Sequence, residues 1–188
     1  SQHPEYRALA LQMDIRPLAD LTQARQTPRL VALFTAEVDG LVVRNPRRLT
    51  GRATPAPHSR DQLLVFHIVE NVPSSFYNGY TYIDTLNRKA TDAFIRITHE
   101  AYRKHCGRRL GRSIKGIFTD EPHRGRLMVG DPHANPPPPE ARQVPWTAVL
   151  PATFRRAFGY DLLDRLPEIY LRRDGEPVSQ VKWHFVEC

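Results

Sequence analysis

Apolar residues along the chain fall into short runs whose spacing predicts both strands and helices. Residues 29–43 hold two apolar runs, Leu-Val-Ala-Leu-Phe-Thr-Ala and Leu-Val-Val, separated by a short segment that contains Val38-Asp39-Gly40. An Asp-Gly pair between two such runs predicts a β-hairpin. The run at 63–69 is apolar apart from His67, which is typical of a strand buried on both faces. The segment 114–119, Ile-Lys-Gly-Ile-Phe-Thr, predicts a further short strand.

The clearest helical pattern covers residues 87–106. Asn87 is a suitable N-cap, Gly107 is a suitable helix stop, and an apolar stripe runs between them at Ala90, Phe94, Ile97, Ala101 and Tyr102. Weaker patterns predict a short helix at 4–12 and another from Pro151 to Phe158, ended by Gly159, after which Asp161 caps a last short helix. The order of strand 63–69, helix 87–106 and strand 114–119 predicts a right-handed βαβ unit with parallel strands.

Length and composition narrow the class of protein. A chain of 188 residues, with 40% hydrophobic and 25% charged residues, is typical of one globular domain. It contains no apolar run close to the roughly 20 residues that cross a bilayer, so we expect no membrane partner. The two cysteines, Cys106 and Cys188, are too few for a disulfide framework.

The formal net charge of +7 comes from arginine, since only 4 of the 27 cationic residues are lysines. A basic chain raises the question of nucleic-acid binding. The cationic residues are scattered, however, and no run of them exceeds two. We therefore expect no nucleic-acid partner and keep a nucleic-acid binder only as a third alternative.

Polar and aromatic residues follow both strands of the predicted βαβ unit. The first strand leads to Tyr77, Asn78, Tyr80 and Asp84, and the second leads to Asp120, Glu121 and His123. The carboxyl ends of parallel strands meet at one edge of a sheet, so we expect these side chains to lie together. Carboxylates with aromatic rings favour a carbohydrate site. A carboxylate after a strand can also merely cap the next helix, and a tyrosine-rich loop can merely pack.

Other kinds of site find less support in the sequence. The histidines, with Asp131 and the Asp120-Glu121 pair, match no metal-binding spacing, although calcium coordination by these carboxylates is chemically possible. Cys106 has no evident activating partner. No GxSxG, Walker or GxGxxG motif occurs, which disfavours serine hydrolase, P-loop and dinucleotide chemistry.

One set of motifs resembles a known family. The segments 82–87 (Tyr-Ile-Asp-Thr-Leu-Asn), 94–100 and 117–122 (Ile-Phe-Thr-Asp-Glu-Pro) resemble a block of large bacterial TIM-barrel glycoside hydrolases related to the family 106 α-L-rhamnosidases. Residues 4–7, 144–146, 158–161 and 166–167 fit the same resemblance in the same order. The resemblance implies a catalytic (β/α)₈ barrel with Glu121 as the general acid, and a calcium ion near the substrate. No residue of this sequence can be matched to the second catalytic carboxylate of that family.

These observations together predict an α/β fold, part of a (β/α)₈ TIM-type barrel, with an inserted β-hairpin region at 29–60. A full barrel needs about 250 residues, so we expect residues 1–188 to be one segment of a larger multidomain enzyme. The predicted function is glycoside hydrolysis, with rhamnosides as candidate substrates. The alternative is a non-catalytic carbohydrate-binding or assembly module.

The predicted site has defined roles. We expect Glu121 to protonate the glycosidic oxygen and Asp120 to orient the site or a metal. The substrate is bound by Tyr77, Asn78, Tyr80, Asp84 and His123. We expect no cofactor within this segment and calcium only in the full enzyme.

Overall fold

The computed structural model describes residues 3–51, 60–118 and 142–188. Six strands in these residues form one mixed, curled sheet that resembles half of a barrel. The strands are β1 (Leu9–Pro17), β2 (Leu30–Asp39), β3 (Val42–Leu49), β4 (Gln62–Glu70), β5 (Gln143–Trp146) and β6 (Arg172–Arg173). Their order across the sheet is β5-β1-β4-β2-β3-β6.

Six short α-helices lie in the same residues: α1 (Leu21–Ala24), α2 (Arg88–Phe94), α3 (Glu100–Cys106), α4 (Leu150–Phe158), α5 (Pro167–Tyr170) and α6 (Gln180–Glu187). A π-helical turn at Ile95–His99 joins α2 to α3. The side chain of Asn87 accepts a hydrogen bond from the Lys89 backbone N–H, so the predicted N-cap is confirmed. The predicted helix ending at Gly159 is also confirmed, because Gly159 adopts the left-handed φ of 79° that ends α4.

The β-hairpin predicted around Asp39-Gly40 is confirmed. Strands β2 and β3 pair antiparallel from Asp39↔Val42 to Leu33↔Leu49. Gly40 has a φ of 58°, which the tight turn between the strands requires. Both strands lie inside the sheet, with β4 beside β2 and β6 beside β3. Register shifts occur in β2 against both neighbours, and such bulges increase the local twist of a sheet.

The predicted (β/α)₈ TIM-type barrel is wrong. Strand β4, which covers the predicted strand 63–69, pairs antiparallel with β2. Residues 114–118 form no strand, and only Ile114 makes an isolated bridge, to Leu110. Lys115 and Gly116 interrupt the apolar residues of this segment, so its pattern is weak evidence for a strand. The βαβ unit therefore lacks its second strand, and the barrel argument built on it fails.

The predicted helix at 4–12 is also wrong for most of its length. A single 3₁₀ turn covers Pro4–Tyr6, and β1 begins at Leu9. Ala10, Leu11 and Met13 are buried, while Gln12 and Asp14 are half-buried. From residue 11 onward, buried and half-buried residues alternate with the two-residue period of a strand. The residues before it are apolar without such alternation, so their pattern does not distinguish a helix from a strand.

The chain divides into two compact units. In the described residues, the first unit comprises 3–9 and 70–118, and the second comprises 10–51, 60–69 and 142–188. The second unit holds the main hydrophobic core, where Phe34 and Phe66 meet edge to face with ring centroids 5.5 Å apart. Full burial of each such side chain is worth about 2–3 kcal/mol. In the first unit the buried apolar side chains are small: Ala8, Ala90 and Ala93.

Candidate functional site: an aromatic groove

The first unit contains a groove of about 760 Å³ whose walls are rich in aromatic side chains. The N-terminal segment, the segment 80–83 and the helix α2 with its π-helical turn all line it. The lining residues are His3, Tyr6, Arg7, Tyr80, Thr81, Tyr82, Ile83, Ala90, Ala93, Phe94, Ile97 and Thr98. A concave surface of mostly apolar side chains with a few polar groups is typical of a small-molecule site.

Backbone hydrogen bonds hold two walls of the groove together. Arg7 and Ile83 form an antiparallel bridge. The Ala8 N–H donates to the Tyr82 carbonyl over 3.0 Å, and the Asp84 N–H donates to the Tyr6 carbonyl over 2.8 Å. These bonds place the N-terminal segment beside the segment 80–83. Tyr6 and Tyr82 therefore lie on two backbone segments that are hydrogen-bonded to each other.

A tight turn presents the ring of Tyr80 to the groove. After a 3₁₀ turn at Ser75–Tyr77, Asn78 and Gly79 adopt φ values of 53° and 78°. The turn closes where the Ser74 N–H donates to the Tyr80 carbonyl over 3.1 Å and the Gly79 N–H donates to the Ser74 carbonyl over 2.9 Å. Asn and Gly are the residues that tolerate this left-handed conformation best. The Tyr80 residue remains 59% exposed.

The other aromatic residues of the groove are held by ring contacts. Tyr82 packs against Tyr77 with centroids 5.2 Å apart, and His3 stacks on Tyr6 with centroids 5.0 Å apart. On the helical wall, Phe94 is 43% exposed and Ile97 is 70% exposed. Tyr80 and Phe94 are therefore ring surfaces that a ligand could cover.

Polar groups at the groove are few. Arg7 donates through Nη1 to Oε2 of Glu70 over 3.3 Å, an ion pair that solvent partly screens. Thr81 and Thr98 add hydroxyl groups to the lining, and His3 adds a ring that also contacts Glu5 over 3.0 Å. The groove thus combines aromatic faces with hydrogen-bond donors and acceptors. That combination suits a ligand with apolar faces and hydroxyl edges.

The predicted substrate-binding residues occupy different positions in the structure. Tyr80 lines the groove, and Tyr77 supports it through Tyr82. Asn78 lies in the exposed turn. Asp84 is only 5% exposed, and its Oδ1 accepts a hydrogen bond from the Leu86 N–H over 3.1 Å. The carboxylate of Asp84 therefore serves the backbone that leads into α2.

Three predicted site residues, Asp120, Glu121 and His123, lie outside the residues that the structure describes. Their predicted roles in acid catalysis, orientation and substrate binding remain predictions. In the described part of the chain, no three or more His, Cys, Asp or Glu side chains come together as a metal site. The expectation of calcium in the full enzyme also remains a prediction.

Sequence reasoning missed several residues of the groove, namely His3, Tyr6, Arg7, Tyr82 and Phe94. Tyr6 and Arg7 were missed because residues 4–12 read as a helix, which would have placed their side chains around an axis. One signal was present: Tyr80 and Tyr82 are two residues apart, and in extended backbone such residues share a face. Phe94 was assigned to the stripe that packs a helix onto a sheet.

A second polar cluster lies in the second unit, around Asp14. Its carboxylate accepts from Gln12 Nε2 over 2.8 Å and from Arg16 Nη2 over 2.9 Å, and it lies 3.1 Å from His67 Nε2. Burial opposes ionisation of Asp14, but the hydrogen bonds from His67, Gln12 and Arg16 outweigh it and hold its pKa well below the usual range. Asp14 lies on β1 and His67 lies on the neighbouring strand β4, so we assign the cluster the structural role of joining these two strands.

Comparison of the chain with protein-family models, with curated proteins and with solved structures finds no match. Among the helices that the structure describes, none has the length and apolar character needed to span a membrane. The geometry of the groove is therefore the basis on which we infer a function.

Proposed function

We propose that this chain binds carbohydrate through the aromatic groove. The observation that carries the proposal is that Tyr80 and Phe94, two partly exposed aromatic residues, line the same concave surface. A pyranose ring presents an apolar C–H face, which packs on an aromatic ring, and hydroxyl edges, which need hydrogen-bond partners. Arg7, Thr81 and Thr98 line the groove and can supply such partners.

Binding without hydrolysis is the form of the proposal that the described residues support. Hydrolysis of a glycosidic bond needs a pair of carboxyl groups across the scissile bond. The groove lining includes no Asp or Glu among the described residues. A glycoside hydrolase therefore remains a prediction that depends on Glu121 and Asp120.

The proposal is tested by titrating the full chain with a panel of oligosaccharides, including rhamnose-containing and neutral hexose oligomers, and recording calorimetric heats. We expect Tyr80→Ala and Phe94→Ala each to weaken binding about tenfold, because each removes one stacking surface worth about 1–1.5 kcal/mol. Tyr80 is exposed, so its replacement leaves the fold intact, which a thermal unfolding curve verifies.

Tyr102→Ala is the matched control. Tyr102 is 54% exposed on α3 and does not line the groove. Its replacement removes an exposed ring of the same kind and should leave the affinity unchanged. No binding by any oligosaccharide, or equal losses at Tyr80 and Tyr102, would show that the groove is not a carbohydrate site.

A further inference from the structure

The C-terminal part of the first unit concentrates positive charge. Residues 101–118 contain six lysines and arginines and no aspartate or glutamate: Arg103, Lys104, Arg108, Arg109, Arg112 and Lys115. All six are exposed. We call the segment 103–115 the basic turn. In the sequence these residues occur singly or in pairs, so no run marks them.

The backbone of the basic turn is closed by its own hydrogen bonds. A 3₁₀ turn covers Gly107–Arg109. The Ile114 N–H donates to the Arg109 carbonyl over 2.9 Å, and the Gly111 N–H donates to the Ile114 carbonyl over 2.8 Å. Gly107 and Gly111 have φ values of 50° and 78°, so the reversals fall where glycine is present. Because the backbone of the turn is already closed, less conformational entropy is lost when its cations bind a partner than in an open loop.

Most of these cations lack a carboxylate partner in the described part of the chain. Only Arg103 has one, donating to Glu100 over 2.7 Å. The arginines of the second unit differ, since Arg44 pairs with Asp174 over 2.9 Å and Arg47 pairs with Asp61 over 2.8 Å. Among the described residues, Arg44 and Arg47 of the second unit thus have carboxylate partners, whereas five of the six cations of the basic turn have none.

Helix stabilisation accounts for only part of this arrangement. Cations in the last turn of a helix interact favourably with its macrodipole, and Arg103 and Lys104 lie in the last turn of α3. That effect fades within one turn, whereas Arg112 and Lys115 lie six and nine residues beyond Cys106, where α3 ends. These like charges repel one another, which lowers the stability of the folded state. An anionic partner that binds them would reduce this repulsion and stabilise the fold.

We propose that the basic turn binds the phosphate backbone of a nucleic acid. Four of the six cations are arginines, whose planar guanidinium donates two hydrogen bonds to one phosphate. A duplex carries about one negative charge per 1.7 Å of its axis, so a compact group of cations meets several phosphates at once. From the sequence we expect no nucleic-acid partner. The structure changes that expectation, because the thirteen residues that carry these cations form one closed turn.

The test measures fluorescence anisotropy of a labelled DNA duplex and a labelled RNA duplex with the full chain, between about 50 mM and about 200 mM salt. Four phosphate contacts give a slope of about −3.6 in a plot of log K against log salt for B-DNA. We expect simultaneous Arg108→Gln, Arg109→Gln, Arg112→Gln and Lys115→Gln to weaken binding at least tenfold at low salt and to flatten that slope. The double variant Arg112→Gln with Lys115→Gln, which leaves the end of α3 unchanged, should remove about half of the slope.

The control carries the same change of net charge at exposed cations of the second unit: Arg60→Gln, Arg156→Gln, Arg172→Gln and Lys182→Gln. It should change the affinity less than threefold. An equal loss in the control would overturn the proposal, since it would show that only net charge matters. Tighter binding to heparin or to vesicles of anionic lipid than to either duplex would also overturn it, in favour of another class of partner.

Discussion

The hydroxyl of Tyr170 donates a 2.7 Å hydrogen bond to the backbone carbonyl of Leu11 in the core of the second unit. The bond joins α5 to β1, which are 159 residues apart in the chain. Burial raises the pKa of Tyr170 well above its ordinary value, so the hydroxyl stays protonated and remains a donor at any pH where the fold is stable.

Tyr170→Phe should lower the free energy of unfolding by about 1–3 kcal/mol. The substitution keeps the ring and its contact with Phe66 but removes the donor from a buried carbonyl. Urea denaturation followed by circular dichroism measures the change. Tyr102→Phe, at an exposed site on α3, should change stability by less than about 0.5 kcal/mol. A Tyr170→Phe chain as stable as the unchanged one would show that the hydrogen bond contributes nothing.

Glu168 provides a second test of the core of this unit. Its carboxylate is buried, accepts two hydrogen bonds from Arg165, one of them 2.6 Å long, and lies 3.0 Å from Nε of Arg173. Glu168→Gln removes the only negative charge in this contact and leaves two arginines facing an amide. We expect a loss of about 1–2 kcal/mol, because an amide accepts hydrogen bonds from the arginines more weakly than the carboxylate does, while the partly exposed arginines remain partly hydrated.

The matched control for Glu168 is Asp92→Asn. Asp92 lies on the surface of α2 and pairs with Arg88 over 3.9 Å, an exposed i,i+4 contact worth about 0.3–0.5 kcal/mol. Thermal unfolding of both variants separates the two contacts. Similar, small losses in both would mean that solvent screens the Glu168 contact as fully as the exposed one.

Local signals account for the parts of the fold that the sequence predicted. Asp39-Gly40 predicted the hairpin, Asn87 the start of α2, and Gly159 the end of α4, because turn and cap chemistry depends on a few adjacent residues. The partners of a strand depend on residues far away in the chain. The apolar run in β4 could not show that its neighbour β2 would be antiparallel, and the barrel prediction failed on that point.

The candidate site was likewise predictable from the sequence only where local signals mark its residues. Tyr80 stands out in the sequence because aromatic residues crowd the segment around it. Tyr6 and Phe94 join it only because residues far apart in the chain meet, through the bridge between Arg7 and Ile83 and through α2. The basic turn differs, since its cations lie within thirteen residues of the sequence and only the hydrogen bonds that close its backbone needed the structure.

The Asp14 cluster gives stability a pH dependence whose sign follows from its pKa. Hydrogen bonds hold the folded-state pKa of Asp14 below its ordinary value of about 3.9, despite the opposing effect of burial. The contribution to stability is therefore present above about pH 4 and is lost as the pH falls through the lower, folded-state pKa.

Asp14→Asn should lower the free energy of unfolding at pH 7 by about 1 kcal/mol. The loss is this small because solvent partly screens the interactions of the half-buried carboxylate. The difference between the variant and the unchanged chain should shrink as the pH falls from about 5 to about 2. Urea midpoints across that range measure it. A difference that stays constant with pH would show that the hydrogen bonds to Asp14 do not depend on its charge.

The last prediction separates two roles for Asp84, which the sequence placed among the substrate-binding residues. In the structure its Oδ1 accepts from the Leu86 N–H, and its own N–H donates to the Tyr6 carbonyl on the wall of the groove. Asp84→Asn keeps the acceptor oxygen and should cost less than about 1 kcal/mol of stability. Asp84→Ala removes it and should cost about 1–2 kcal/mol, as for the loss of a helix cap.

Oligosaccharide affinity decides between these roles. If Asp84 only positions backbone, Asp84→Asn should bind as the unchanged chain does. Asp84→Ala should bind more weakly, because its backbone N–H holds the Tyr6 segment of the groove. Calorimetric titration beside urea denaturation gives both quantities for each variant. A fully stable Asp84→Asn chain that has lost its affinity would instead assign the carboxylate to the sugar, because then only its charge would have changed.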